Sequence, residues 1–550
     1  EGYHGGGLYI TDSSSITMDY TLIAGNNAIY WDGGGFTIDG NSTINMNHCI
    51  MSSNRVSNGR YGGAIEVRDS LTTVNIINSI LYRNWKGTNP QDIFAQGILE
   101  IYNSCLQNIH YSEHFYDSWI DENNIYENPQ FCFPGDFTIA QTSPCAGTAS
   151  DGLNIGAFEI GCEEAFIYDG PVWYVSMNGS DLFGVGSLDF PLRTIQFASN
   201  VSEDGDTIAV SPGLYNEHIS VGDRQLTICS FLMFEPGQRD YIELTILDGD
   251  SSQQIFSIGG SNIEIFGLTL QNGYSTSWGG AIGIGSYSDV IIKHSVIKNG
   301  YAEQGGGGIN SNRSHLTLDN VVFLENSSQG TGAINAGSTD DYFTANITIS
   351  NSKFITNKSI AGNSGAAKLG WGSSVIEVHK SEFISNHANG YGGLRIENDF
   401  VIDSCLFIDN TATNYGAGGG ISTGTGVLSN SIFINNSIDS LEVNGASNGG
   451  GFTLWSDDVE VDVVNCTFVN NIANTGGGLS VGNGAEANVI NSIFYNNYPD
   501  QLSLEQWNDH CASLSVDYSL VQSAADSIHF DTTSCELNWG ENNINVDPIF

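Results

Sequence analysis

Five of the chain's basic residues fall in one run: Lys353, Lys358, Lys368, Lys380 and Arg395. On one sheet face, such groups beside a bound cation would suit eliminative cleavage of an acidic polysaccharide, one acting as base while the cation neutralises the sugar carboxylate. Counted from the glycine phrases next to them, however, Lys368 precedes its aliphatic residue and Arg395 follows it. The two are therefore expected at different repeat positions, and the run is read as scattered, solvated side chains. Hydrolysis would need paired carboxylates, about 6.5–9.5 Å apart for inversion. Asp457 and Asp458 in "WSDDVEVD" are the obvious pair, but neighbours on a strand face opposite sides. "LDGDSS" (247–252) and "EDGDT" (203–207) lack the spacing of a dedicated calcium loop, and Asp-Gly reads first as a turn. No cofactor is expected, with calcium the one ion left open. The 11 histidines form no H-x-x-x-H phrase, and "GGGG" at 305–308 does not sit between a strand and a helix as a phosphate loop would.

The elements that would position such residues are announced by composition and repetition. Of 550 residues, 16 are Lys or Arg and 61 Asp or Glu, a formal charge of −45. Such a surface repels nucleic acid and anionic lipid. Yet 40 % of the residues are hydrophobic, with 27 Phe and 23 Tyr, so this is no disordered acidic tail. No apolar run reaches the length of a membrane span. The chain opens at Glu1 without Met and is expected to be a piece of a longer protein.

One phrase, Phe-x-x-Asn, recurs as "FLEN" (323–326), "FITN" (354–357), "FISN" (383–386), "FIDN" (407–410), "FINN" (433–436), "FVNN" (468–471) and "FYNN" (494–497), with looser copies "MSSN" (51–54) and "LYRN" (81–84). Asn299, Asn326, Asn357, Asn386 and Asn410 are 27, 31, 29 and 24 residues apart. A glycine phrase keeps step with it, as in "GGAI" (279–282), "GGGF" (449–452) and "GGGL" (476–479). A period in the high twenties with short alternating segments predicts one turn of a parallel β-solenoid. Phe then stacks inward on the Phe of the next coil. Asn326, Asn357, Asn386, Asn410, Asn436, Asn471 and Asn497 form a corner ladder, Asn being tolerant of the left-handed conformation that corners need. The glycines permit another corner.

A longer repeat overlies the short one. "NSILYRN" (78–84) matches "NSIFYNN" (491–497), and "NNIYENPQF" (123–131) matches "NNINVDPIF" (542–550). Residues 1–131 are therefore read as the C-terminal part of a first solenoid module, 132–162 as its terminal cap and 163–170 as a linker. Residues 171–550 are read as a second module of ten to twelve coils, incomplete at its C-terminus. Its first segment, 172–221, contains "PLRTIQFASNV", a short amphipathic helix with Pro191 near its start that is expected to plug the open end. Cys49, Cys405 and Cys466 lie two residues before the Phe position and should point inward as small free hydrophobes, joined by Cys229. Cys511 and Cys535 bracket an irregular insertion and are natural disulfide partners. Cys132 and Cys162 could tie the cap, while Cys145 has no obvious partner; sequence alone does not fix the pairing.

The opening "WYVSMNGSD…PLRTIQFA…DGDTIAVSPGLYNEHI" and the closing "NPQFC…GDFTIAQTSPCAG…IGAFEIGC" resemble the pectin-lyase-like superfamily of right-handed parallel β-helices. The closing stretch resembles that of bacterial surface proteins whose C-terminal anchors are interchangeable. The alternation of "GGAI" with Phe-x-x-Asn also resembles the adhesive passengers of chlamydial polymorphic membrane proteins. The resemblance implies an all-β fold of two tandem β-helices and a secreted or cell-surface setting. It implies no single activity, since such folds carry lyases, hydrolases and adhesins. The phrases of the superfamily's hydrolases, Gly-His-Gly and Arg-x-Lys, are absent. The expected role is a structural or adhesive rod segment of a large extracellular bacterial protein. Its expected partners are a host or environmental surface, glycans, or neighbouring copies of itself. Irregular insertions such as 337–346 and 437–448 are the expected contact loops. The alternative is a polysaccharide lyase or hydrolase, or a carbohydrate-binding β-helix.

Overall fold

The computed structural model describes all residues except 1–4, 29–32, 57–61, 88, 112–118, 286, 341, 440–447, 532–534 and 550. It divides into two compact units, Glu1–Ser202 and Glu203–Phe550.

In the first unit the alternating segments stack in parallel. Ser15–Asp19, Thr43–Asn47, Thr73–Ile77, Ile98–Tyr102 and Trp119–Glu122 form one ladder. Leu22–Ala24, Ile50–Ser52, Ile80–Tyr82 and Cys105–Leu106 form another. Met51, Leu81 and Leu106 point into the core with Ile44, Val74 and Leu99. Ile50, Ile80 and Cys105 point the other way, where residues Ile139, Cys145 and Ile155 cover them. The segment 132–162 thus packs along a flank of successive coils. Cys132 and Cys162 are bonded within it, their Cα atoms 5.9 Å apart. Ile195–Val201 is a helix capped by the Thr194 side chain, with Ile195, Phe197, Ala198 and Ser199 buried. It starts four residues beyond Pro191, and Phe197 meets the Trp85 ring edge-on at 5.0 Å.

The second unit repeats the plan with greater regularity. Twelve short strands, from Gly213–Tyr215 to Leu520–Val521, form one parallel sheet, a stack roughly 50 Å long at the usual strand spacing. Phe323, Phe354, Phe383, Phe407, Phe433, Phe468 and Phe494 lie ring on ring, with centroids 4.5–4.8 Å apart and planes within 5°. Beside them runs the amide ladder. Each Asn Oδ1 accepts from the backbone N–H and the Nδ2 of the Asn one coil earlier, as Asn386 does from Asn357 at 2.9 and 3.0 Å. From Asn357 onward each Nδ2 also donates to the carbonyl of the Phe one coil back, as Asn386 does to Phe354 at 2.9 Å, while Asn326 donates to Ile297 O. The ladder runs unbroken from Asn326 through Asn357, Asn386, Asn410, Asn436 and Asn471 to Asn497, where Gln501 receives its last bond.

One corner detail departs from the sequence reading and a second adds to it. The left-handed residue is the one before the ladder Asn, and its identity is open: Glu325, Thr356, Ser385, Asp409 and Asn435 all have φ of 52–55°. Asn299 sits at that position, so Gly300, whose N–H donates to Asn326 Oδ1, takes the ladder's place in its coil. The second detail concerns Cys405 and Cys466, expected as free buried residues. They are buried and unbridged, but they occupy rungs of a serine ladder: Ser352 N–H donates to Ser381 Oγ, Cys405 N–H to Ser431 Oγ, and Cys466 N–H to Ser492 Oγ. Their thiols replace hydroxyls, and burial pushes both up to about 12.

Candidate functional site

The run of cations resolves into separate places. Lys353 stands beside Glu382, 2.9 Å away, on the Phe-bearing sheet. Lys358 lies in a short strand beside His387, and Lys380 sits at a left-handed corner. Lys368 and Arg395, expected out of phase, are direct partners in adjacent coils. The frame slips because "GAAK" (365–368) replaces the "GGLR" (392–395) of the next coil: Ala367 holds the inward aliphatic position that Leu394 holds, so Leu369 is the wrong marker.

Glu397 lies one inward residue further along the same strand and engages both cations, Lys368 Nζ at 3.1 Å and Arg395 through Nη2. The Arg395 guanidinium lies 5.3 Å from the centre of the Tyr391 ring, a cation–π arrangement. Its Nε donates to Ser422 Oγ at 3.1 Å. Tyr391 Oη is 3.0 Å from the same Ser422 hydroxyl. Burial pushes the Tyr391 phenol up, against the opposing pull of Arg395, so it stays protonated and available to hydrogen-bond.

Around this group opens a cleft of about 690 Å³, within the range of ligand sites. Its aromatic lining comes from Trp371, Tyr391, Tyr415, Trp455 and Trp507. Two glycines let rings lie flat on the sheet: a Cβ on Gly420 would come 2.5 Å from the Tyr391 ring, and one on Gly482 2.5 Å from the Trp455 ring. Trp507 closes on Trp455 edge-on at 6.2 Å. The strand register breaks beside the cleft, between Ala336 and Gly337 against Leu369–Trp371, and between Ile396 and Glu397 against Ile421–Thr423. Each break inserts one residue, Gly370 or Ser422, and bulges of this kind re-aim side chains next to binding sites. One of them carries Trp371 outward, and the other puts the Ser422 hydroxyl where both Tyr391 and Arg395 reach it.

The geometry limits the chemistry. Glu505 lies four coils beyond Glu397, with Thr423, Trp455 and Gly482 on the coils between. Four coil steps are roughly 19 Å, too far for the carboxylate pair of a glycosidase. Asp457 and Asp458 lie in a turn and not on the strand Val459–Val464, and Asp457 pairs with His510 at 3.5 Å. The Asp-Gly phrases are turns: Asp248 receives Gln271 Nε2 at 2.6 Å and Asp250 N–H at 2.8 Å, and Asp206 receives Glu203 N–H at 2.8 Å. Among the described residues no group of three or more His, Cys, Asp or Glu is arranged to hold a metal.

The other residues singled out by spacing fall elsewhere. Cys511 and Cys535 are bonded to each other. Cys145, given no partner by spacing, lies beside Cys105 in one apolar cluster. In the 337–346 insertion, Asp340 accepts from Tyr287 Oη at 2.7 Å while Tyr342 is fully exposed. Most of the 437–448 insertion lies outside the described residues.

No family model matches the chain, and no curated protein does. Solved structures similar to it include the pectate lyase Pel9A, at 12 % identity and a TM-score of 0.28, the match covering 69 % of this chain and 80 % of that one. A rhamnogalacturonan lyase matches at 12 % identity and 0.26, covering 69 % and 90 %. Likenesses this distant carry no argument about activity. The chain's own coil-to-coil register, parallel through both units, makes it a parallel β-helix.

Proposed function

We propose that this chain is an extracellular β-helical rod segment that binds a glycan chain in the cleft of its second unit. The observation that carries the reading is the set of five aromatic side chains around a polar floor, with Arg395, Lys368 and Glu397 tied together at one end. Flat apolar planes interleaved with fixed hydrogen-bonding groups suit sugar rings, which present apolar faces and polar rims. Two disulfides favour an oxidising compartment, and among the described residues no helix is long and apolar enough to cross a membrane. A rod stiffened by the Phe and Asn stacks would carry such a cleft as an adhesive contact.

A second reading, polysaccharide cleavage, draws support from Lys368 and Arg395 standing in register. Both cations are already held by Glu397, which leaves neither free to take a proton from a substrate, and binding without turnover is the reading preferred. The test is retention of the full chain on immobilised neutral, uronate and sulfated polysaccharides, with new reducing ends and unsaturated products read in parallel, with and without calcium. Retention that is lost in Trp455→Ala, without products, supports the binding rod. Products that persist through repurification would replace it with an enzyme. A folded chain retained on none of the polysaccharides would refute glycan binding and leave a purely structural rod.

A further inference from the structure

We infer that the cleft is built for an uncharged oligosaccharide lying along the solenoid axis, and that Glu397 is the residue that turns acidic chains away. This rests on the glycan-binding reading above. Direction comes from the aromatic residues. Trp371 and Trp455 both line the cleft, on strands three coil steps apart. Three steps are roughly 14 Å, more than one sugar ring can bridge and suited to a short run of rings. Trp507 extends the lining two coils beyond Trp455. A chain touching these walls in turn runs parallel to the rod.

Selectivity comes from the charges. The cleft wall carries Arg395 and Glu397, and Lys368 completes the cluster from the neighbouring coil. A uronate chain brings one negative charge per ring into a molecule whose formal charge is already −45, and it needs free cations to hold it. Neither cation is free. Glu397 bridges them, and Arg395 is fixed further by Ser422 and the Tyr391 ring. The three side chains are only 28 %, 22 % and 15 % exposed for Lys368, Arg395 and Glu397, so exchanging Glu397 for a sugar carboxylate would strip a half-buried ion pair and leave Glu397 unpaired. The other polar groups facing the space, Ser422, Thr423, Asn448, Thr453, Ser456 and Asn483, are neutral hydroxyls and amides, matched to sugar hydroxyls.

The experiment titrates the full chain with neutral hexasaccharides (cellohexaose, xylohexaose, mannohexaose) and with hexagalacturonate, following tryptophan fluorescence and heat. At least one neutral hexamer is expected to bind, with affinity changing less than about twofold between roughly 0.05 and 0.5 M salt. Trp371→Ala and Trp455→Ala should each weaken it about tenfold. Glu397→Gln frees both cations, and hexagalacturonate binding should then rise by about tenfold or more and become salt-sensitive. Hexagalacturonate binding more tightly than every neutral hexamer in the unaltered protein would overturn the selectivity while leaving glycan binding standing. So would Glu397→Gln gaining no affinity for it. No binding of any hexamer to the folded chain would overturn this inference and the proposed function together.

Discussion

Replacing Asn386 by alanine removes four hydrogen bonds from a place that water does not reach. Its Oδ1 accepts from the Asn357 backbone N–H and Nδ2, and its Nδ2 donates to Phe354 O and Asn410 Oδ1, all at 2.9–3.0 Å. Asn357, Asn386 and Asn410 are each 0 % exposed. Alanine leaves the Asn357 N–H and one of its amide hydrogens without a partner. At roughly 1–3 kcal/mol per orphaned buried group the loss is about 3–5 kcal/mol. Asn488→Ala is the control, since Asn488 is an exposed residue of the same solenoid whose Nδ2 reaches only Asp462 at 3.2 Å. Its cost should stay within about 0.5 kcal/mol. Coils contact only their neighbours, so the loss is local. The sensitive assay is therefore hydrogen exchange of the peptide containing Asn357, expected to speed up by about a hundredfold or more, beside a urea melt. Asn386→Asp keeps the acceptor, removes both donations and buries a charge, and should cost at least as much at neutral pH. If Asn386→Ala and Asn488→Ala fall together in both assays, the ladder contributes nothing specific and the reasoning fails.

The first unit should lose stability as pH rises. Burial pushes the Glu66 carboxyl from 4.5 up to about 8 and Asp92 from 3.8 up to about 7. Folding therefore takes up protons in that window, and the contribution is full below about pH 4 and lost by about pH 8. Thermal melts should fall across it and flatten in Glu66→Gln; a rise with pH would contradict the assignment. Removing the Cys132–Cys162 bond, which spans 30 residues, should cost about 3–4 kcal/mol on the loop-entropy account. The paired Ser variant checks this by its urea midpoint, and an unchanged midpoint would count against it. Cys405→Ser should be neutral within about 0.5 kcal/mol, because Ser381 and Ser431 already fill the same rung in the coils on either side. A loss above about 2 kcal/mol would mean that the thiol contributes packing that the ladder comparison misses.

What the sequence makes legible is whatever recurs. Phe383 and Asn386 can be placed because six other coils carry the same pair at the same spacing, and inward stacking demands the same residue at each level. The reading slips where one coil breaks the wording. Asn299 counts as a rung by spacing, yet Gly300 stands where the amide should be. Lys368 falls out of phase with Arg395 on the phrases because Ala367 stands in for a larger aliphatic residue. The cleft itself lies beyond the phrases. Trp371, Tyr391, Tyr415, Trp455 and Trp507 share no offset from either repeat, and the bulges at Gly370 and Ser422 that place them leave no signal in residue type. The readable clue is a tryptophan directly after a coil's inward Leu, as at Leu454-Trp455, where the next two coils place Gly482 and Glu505 in register with it.

That contrast explains where a solenoid can afford a site. Inward positions are bound to their neighbours above and below, so a change in one coil strains two others. Phe433 cannot depart from the stack without leaving both Phe407 and Phe468 unpartnered on one face. Outward positions stand outside the Phe and Asn stacks, and the strand hydrogen bonds persist under most side chains they bear. Arg395, Glu397 and Trp455 therefore vary independently of the core. A glycine at 420 or 482, which in a strand gives up side-chain packing, gives up little here because a ring from the same surface fills the space. The regular core supplies level, evenly spaced strands, and the irregular outer column supplies the chemistry. It follows that Trp455→Ala should weaken retention on glycan while leaving hydrogen exchange in the Asn ladder unchanged, and that Asn386→Ala should do the reverse before the rod unfolds. A Trp455 variant that loosened the ladder as much as it weakened binding would show that cleft and core are one structure, and the division argued between them would fall.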